Sequence, residues 1–504
     1  MLARASSAAI LGLGAVGVDI EVDVSNQGLP SFVVVGLADK AVEEAKERVR
    51  SAIGNSGFDF PGHKIIVNLA PADIPKVGTF YDLPIALGIL KASGQLKEPL
   101  EGLFLGELSL NGDLRRVNGC LSAVLYARQI KEKQVFIPLA NSNEVEIIRD
   151  LDIFPARNLK ELLLHFNKAS LIKPLDLKKV IIAHPEAEVD FSDINGQNQA
   201  KRALEIAAAG GHNLFLFGPP GSGKTLLARA LPGIMPAMTE EEVLEATKIY
   251  SVSGSLDGGL VSQRPFRNPH HSVSRVGLIG GGSFPLPGEV SLAHRGTLFL
   301  DELPEFPRHV LEALRQPMED GFVTIARSRG RFTYPAQFSL IAASNPCPCG
   351  FLGDPKKACR CSPAEINRYQ KRLSGPLMDR IDLYVEVPAV PVKKLIQKVS
   401  GKDSYQIRMG VERARECQRQ RFAGSRLSCN AEMGSREVKK YCQMSHQSWQ
   451  ILTEASENLA LSARGFYRTI KVAQTIADLS SQKEISQDHL AEALNFRSQR
   501  FTHN

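Results

Sequence analysis

From Val18 to Val24 the chain reads Val18-Asp19-Ile20-Glu21-Val22-Asp23-Val24, with apolar and polar positions in strict alternation. A period of two predicts a half-buried strand. Ser31-Phe32-Val33-Val34-Val35-Gly36 and Lys64-Ile65-Ile66-Val67-Asn68-Leu69 read as further strands. Asp39 to Ile53 has helical spacing of apolar residues and opens on an acidic stretch, and Phe80 to Ala92 reads as mostly helix. Residues 1–166 are therefore expected to form a mixed α/β domain. Residues 167–190 are weakly patterned, with Pro174, Pro185 and several lysines, and read as a linker. A second α/β domain is expected over 191–390. Beyond Pro388 and Pro391 strand alternation stops, and 391–504 reads as helical.

Composition agrees with this three-part division. A chain of 504 residues is too long for one ordinary domain. At 43% hydrophobic and 23% charged residues it has the balance of a soluble globular protein. No apolar run reaches the roughly 18–20 residues of a membrane span, so no membrane association is expected. The first residues, one Arg followed by an apolar stretch, have the outline of a signal peptide. They run directly into the Val18–Val24 alternation and are read as part of the fold instead. Eight cysteines do not make a disulfide scaffold. The net charge of +7 is mild, but residues 391–504 hold 19 Lys/Arg against 11 Asp/Glu. The basic excess thus lies in the C-terminal segment, where either a solvated helical surface or an anionic partner such as nucleic acid accounts for it.

The most specific chemistry lies in the second domain. The apolar run Leu214-Phe215-Leu216-Phe217 leads into Gly218-Pro219-Pro220-Gly221-Ser222-Gly223-Lys224-Thr225, and a helix follows. This strand–loop–helix is the setting of a P-loop. Its glycines let backbone N–H groups curl around phosphates, Lys224 reaches the β- and γ-phosphates, and Thr225 offers a hydroxyl to Mg²⁺. A second buried-strand run, Gly296-Thr297-Leu298-Phe299-Leu300, ends in Asp301-Glu302. Adjacent carboxylates at a strand end are poor core residues. Asp301 is suited to complete the Mg²⁺ shell, and Glu302 to act as general base on water. A third strand, Phe338 to Ser344, ends at Asn345, whose amide would orient the lytic water or the γ-phosphate. In Ser374–Asp382, Arg380 is a candidate arginine finger acting on a neighbouring subunit, with a salt bridge to Asp379 or Asp382 as the other reading. In Ser462–Arg468, Arg464 is a candidate to close onto the nucleotide, and Arg468 shares its helix face. ATP and Mg²⁺ are the cofactors these motifs predict.

With those residues in view, the chain resembles the magnesium-chelatase-like AAA+ ATPases of the YifB/ComM type, the competence-associated bacterial group. Gly196-Gln197-Asn198-Gln199-Ala200-Lys201-Arg202-Ala203-Leu204 resembles that family's approach to the ATPase core. Arg267-Asn268-Pro269-His270-His271-Ser272 and Gly288-Glu289-Val290-Ser291-Leu292-Ala293-His294-Arg295-Gly296 resemble its chelatase-type signatures. The resemblance implies a P-loop AAA+ core, a C-terminal helical lid and a hexameric ring with ATP sites between subunits. It also implies a cytoplasmic motor that drives branch migration of DNA in recombination, notably natural transformation. The first domain is similar to the Lon-protease fold, of ribosomal-protein S5 type. Phe80 and Leu121 stand where a Lon Ser–Lys dyad would place its nucleophile and its lysine. Without either group acyl transfer has no agent, so a scaffold or binding module is expected.

Two further segments carry candidate chemistry. Cys347 and Cys349, then Cys359 and Cys361, form two Cys-x-Cys pairs nine residues apart in a Gly/Pro-rich loop directly after Asn345. Four thiols so close suggest tetrahedral zinc, with reduced structural cysteines or a redox pair as the other readings. Arg327, Arg329 and Arg331 fall at the tip of an expected β-hairpin. In related ring motors such a hairpin points into the pore, where arginines suit DNA phosphates, with a solvated basic turn as the other reading. His270, His271 and His294 lack metal-ligand spacing and are read as structural or nucleotide-coupling. The function expected is therefore an ATP-hydrolysing ring motor on branched or single-stranded DNA. The alternatives are a chelatase-like ATPase that remodels a protein partner without DNA activity, and a Lon-type protease.

Overall fold

The computed structural model describes residues 1–25, 29–36, 40–76, 78–176, 188–282, 284–327, 330–354, 357–373, 375–391, 402–459 and 461–497. Arg329, much of the expected linker (177–187) and residues 392–401 lie outside the described residues. The chain separates into two compact units: 1–181 with 240–261 and 326–334, and 182–239 with 262–325 and 335–504.

The first unit is built on a seven-stranded mixed sheet. Its strands are β1 (Leu2–Leu11), β2 (Gly14–Ser25), β3 (Ser31–Val35), β4 (Lys64–Ala70), β5 (Leu103–Phe104), β6 (Gln134–Pro138) and β7 (Asp152–Ala156), in the order β3-β4-β2-β1-β5-β6-β7. The alternation in β2 is realised directly: Val18, Ile20, Val22 and Val24 are buried, and the acids between them are less so. The stretch before it, Leu2–Leu11, is a strand that pairs antiparallel with β2 from Leu2↔Asp23 to Leu11↔Gly14. Helices α1 (Lys40–Asn55), α2 (Asp82–Ala92) and α3 (Cys120–Gln129) are its longest helices before residue 182. Phe80 and Leu121 are both buried in its apolar core.

Two segments from the middle of the chain pack with this unit. Helix Glu240–Ser253 lies along α3: the Gly119 N–H donates to Ser251 O at 2.9 Å, and Leu244 packs on the apolar core. Asn143 Nδ2 donates to Gly258 O at 3.1 Å. Burial raises the pKa of Glu144, which is bonded to Ser251 and Asn141. The second segment belongs to the hairpin of strands Phe322–Arg327 and Gly330–Pro335, where a Cβ on Gly12 would stand 3.2 Å from the Phe332 ring.

The second unit holds a five-stranded parallel sheet. Its strands are β8 (Leu214–Phe217), β9 (Phe266–Arg267), β10 (Thr297–Leu300), β11 (Ser339–Ser344) and β12 (Leu383–Glu386), in the order β9-β10-β11-β8-β12. β8, β10 and β11 are buried at every position, as expected of parallel strands covered on both faces. Helices α4 (Asn198–Gly210) and α5 (Lys224–Ala230) belong to this layer, and α6 (Pro363–Gln370) precedes β12 in the chain. The C-terminal region is helical, with α7 (Ser404–Arg421) and α8 (Ala463–Leu479) as its longest members. Asp403 and Ser462 cap them by accepting the N–H groups of Gln406 and Gly465. Among the described residues no helix is long and apolar enough to cross a membrane.

The helical region is fastened to the sheet at Asp382, just before β12. This carboxylate is buried. It accepts the Asn213 N–H at 2.9 Å and pairs with Arg468 of α8 at 2.7 Å, with His212 Nδ1 at 3.7 Å. Burial by itself would raise its pKa, but Arg468, His212 and the Asn213 N–H outweigh that and hold it well below the ordinary 3.8. Arg468→Ala would leave a buried carboxylate without its cation, and should cost about 3–5 kcal/mol of stability in urea unfolding at neutral pH. The folded-state pKa is depressed, so this stabilisation is present above pH 3.8 and is lost as pH falls through the lower folded value. The gap between wild type and variant should therefore narrow below pH 3.8, and a gap constant with pH would contradict an ionised Asp382–Arg468 pair.

Candidate nucleotide site

The carboxyl end of β8 opens into the loop 218–223, and α5 begins at Lys224. Two glycines here are required by geometry. A Cβ on Gly218 would sit 2.1 Å from Val387 O, and Gly223 has φ +92° immediately before the helix. Lys224 is buried. Its Nζ donates to Gly218 O (2.8 Å), Pro219 O (2.9 Å) and Asn345 Oδ1 (3.1 Å). Burial lowers its pKa, while the charges of Asp301 and Glu302 act the other way. Thr225 Oγ1 donates to Asp301 Oδ2 at 2.6 Å.

Sheet order explains this convergence. β11 lies between β8 and β10, so Asn345 after β11 and Asp301-Glu302 after β10 reach the same edge as the loop. Ligands of open α/β sheets bind at such carboxyl edges. Asp301 Oδ1 accepts the Glu302 N–H at 2.9 Å. Glu302 adopts φ +51°, a left-handed backbone that a β-carbon disfavours, and its side chain is exposed. His271 Nδ1 is 3.8 Å from its carboxylate, and the His270 and His271 rings lie 4.0 Å apart, tilted by 36°. The arrangement offers backbone N–H groups and an ammonium to phosphates. It also offers a hydroxyl–carboxylate pair suited to Mg²⁺ and an exposed carboxylate suited to water.

Arg380 and Arg464 lie together elsewhere in the second unit. Glu319 takes both: Arg380 Nη2 bonds to its Oε2 and Arg464 Nη2 to its Oε1 at 2.9 Å. Neither Asp379 nor Asp382 is the ion-pair partner of Arg380, since Arg468 takes Asp382. Arg380 is buried and Arg464 exposed. Nothing in the sequence marks Glu319 as their common partner, because it is one acid among several and lies far from both in the chain.

The two chelatase-type signatures join through a two-pronged ion pair, Arg267 to Glu289, at 2.6 and 2.8 Å. His294 is buried, and its Nδ1 accepts the Gln337 N–H at 3.1 Å. Among the described residues the one group arranged to hold a metal ion through side chains of this type is Cys347, Cys349, Cys359 and Cys361, whose sulfurs all lie within 4.8 Å of one another. The cluster is compatible with a zinc site. Arg327 and Arg331 are exposed on the hairpin.

A five-stranded parallel sheet with this loop, lysine and carboxylate array is the core of a P-loop ATPase. Three family models narrow the class. One described as "Magnesium chelatase, subunit ChlI" matches residues 190–395, one described as "Subunit ChlI of Mg-chelatase" matches 20–141, and one described as "Magnesium chelatase, subunit ChlI C-terminal" matches 401–497. The YifB protein of Salmonella typhimurium is 46% identical over 503 residues, covering 99% of this chain and 97% of that one. The competence protein ComM of Haemophilus influenzae is 45% identical over 504 residues, with coverage of 99% and 97%. The magnesium-chelatase 38 kDa subunit of Cereibacter sphaeroides is 24% identical over 235 residues, covering 43% of this chain and 64% of that one. The chain belongs to the YifB/ComM family of magnesium-chelatase-like AAA+ ATPases.

Lys224→Ala should abolish ATP turnover. Glu302→Gln should retain ATP binding while slowing hydrolysis by about 10²–10⁴-fold, the usual contribution of a general base. A phosphate-release assay run beside nucleotide binding checks both, and wild-type turnover in either variant would contradict the assignment.

Proposed function

We propose that the protein is a ring-forming ATPase that moves branched DNA, with branch migration during recombination of incoming DNA as its setting. Two observations support the DNA half: full-length similarity to a relative named as a competence protein, and the exposed Arg327 and Arg331 on the hairpin. The second carries it, because exposed guanidinium groups near the turn of a two-stranded ribbon suit phosphate contacts. Arg329, between them in sequence, is assigned the same role.

In this reading ATP is held as Mg·ATP by Gly218–Thr225, with Thr225 and Asp301 as the protein's Mg²⁺ ligands. Lys224 contacts the β- and γ-phosphates, Glu302 polarises the attacking water, and Asn345 senses the γ-phosphate. Arg380, and Arg464 beside it on Glu319, complete a site at a subunit interface of a hexamer. Leaving Glu319 for a phosphate exchanges one anionic partner for another, so the cost of releasing a buried guanidinium is offset. The first unit, with the Lon-like fold, serves as a non-catalytic platform. Phe80 and Leu121 have no nucleophile or base to offer, and the platform reading is supported by the packing of helix Glu240–Ser253 on α3.

ATP turnover measured with and without a synthetic four-way DNA junction, alongside movement of that junction, tests the reading. Turnover stimulated by the junction together with strand exchange is expected. Turnover indifferent to every DNA offered would sink the DNA assignment and favour a chelatase-like ATPase acting on a protein partner, the reading that the chelatase-type family matches would then support.

A further inference from the structure

The cysteine cluster sits between parts of the nucleotide site, and its geometry can be tested against a tetrahedral ion. Cys347 Sγ is 3.4 Å from Cys349 Sγ and 3.7 Å from Cys359 Sγ, and Cys349 Sγ is 3.6 Å from Cys359 Sγ. Four thiolates about 2.3 Å from one zinc ion would stand about 3.8 Å apart along the tetrahedron's edges. A disulfide would need about 2.05 Å, and all four cysteines are free. The Cys349 N–H is directed at Cys361 Sγ at 3.4 Å, the kind of backbone bond that steadies a thiolate ligand. Cys347 is buried and the other three are half-buried.

What the loop touches gives the cluster a purpose. Gly350, between the two Cys pairs, has φ +81°, and a Cβ there would lie 2.5 Å from the ring of Pro220 in the phosphate loop. On the N-terminal side, Cys347 is two residues from Asn345, which holds Lys224 at 3.1 Å. On the C-terminal side, Cys361 leads into α6 through a capping box at Ser362 and Glu365, and Gln370 of α6 returns a bond to Pro346 O at 3.3 Å. Arg372, just past α6, bonds Pro304 O at 3.3 Å and Glu305 at 3.0 Å, in the segment after Glu302. One knot therefore abuts the phosphate loop, the Asn345 strand end and the segment that follows the catalytic carboxylates.

We propose that Cys347, Cys349, Cys359 and Cys361 bind one zinc ion, and that this zinc knot is a strut that sets Pro220 and Asn345 against Lys224, so that ATP turnover depends on metal occupancy at a distance from the phosphates. The four-thiolate site rests on the cluster alone. The coupling rests on the assignment of the nucleotide site above. A strut of this kind acts by position: a displacement of about 1 Å in a catalytic group can cost about 10²-fold in rate.

Elemental analysis of the full-length protein should find one zinc per chain, and Co²⁺ exchanged into the site should give the charge-transfer absorption of tetrahedral thiolate coordination. Cys359→Ser should lose the metal, and ATP turnover should fall by about 10–10²-fold. Gly350→Ala should keep the metal yet raise KM for ATP or lower kcat, which separates the strut from mere folding. Lys224→Ala should keep the metal while losing turnover. Protein without stoichiometric metal, or with a cobalt spectrum unchanged by Cys359→Ser, overturns the site. Unchanged kcat and KM in Gly350→Ala with the metal retained overturns the strut. Wild-type protein that holds zinc yet never turns over ATP would contradict the nucleotide assignment and leave the metal site standing.

Discussion

A lysine ammonium withdrawn from water at the carboxyl edge of a parallel sheet is the constraint around which the second unit is organised. An isolated buried cation is costly, and its pKa falls accordingly. Lys224 is tolerated because two loop carbonyls and the Asn345 amide oxygen meet it. Two of those acceptors come from the loop itself, and the third arrives only because β11 is the immediate neighbour of β8. The same neighbour relation, carried one strand further, brings Asp301 within 2.6 Å of Thr225. Strand order, loop conformation and charge placement are thus one arrangement. A different order of the same strands would separate the groups that the sequence spaces widely along the chain.

A second polar arrangement ties the helical C-terminal region to that sheet. Asp382 receives Arg468 from α8, and Glu319 receives Arg380 and Arg464. Three arginines are therefore held by two carboxylates, and Arg468 also donates to the Arg380 carbonyl. Arg468 is committed to a structural ion pair on a buried carboxylate, whereas Arg464 is exposed on a half-exposed one. Exposed pairs contribute little stability, so Arg464 is free in energetic terms to change partner and Arg468 is not.

Much of this was legible from residue pattern. Three strands of the ATPase core, β8, β10 and β11, are short, mostly apolar runs that lead to Gly218, Asp301 and Asn345, the pattern of parallel strands buried on both faces. The alternation of Val18 to Val24 transmits one-sided burial just as directly. β1 was hidden because Leu2–Leu11 is rich in Ala and Ser, which fill a close-packed sheet without a hydrophobic rhythm. Helix Glu240–Ser253 was not picked out from the sequence, and its packing on α3 depends on contacts such as Gly119 to Ser251, which join residues far apart in sequence. Glu319 and the Gly350–Pro220 contact were illegible for the same reason: their partners are set by folding, not spacing. The four cysteines announce themselves by spacing, yet only the folded loop shows what they stand against.

We propose that Thr225 and Asp301, bonded to each other here, are the protein's two ligands for the metal of a metal–nucleotide complex. Mn²⁺ can replace Mg²⁺ in such a complex, and free Mn²⁺ can be followed by electron paramagnetic resonance. Titration with Mn²⁺ in the presence of a non-hydrolysable ATP analogue should reveal one tight site per chain that appears only with nucleotide and is lost in Asp301→Asn. Mn²⁺ binding that ignores the nucleotide, or that persists undiminished in Asp301→Asn, would contradict it.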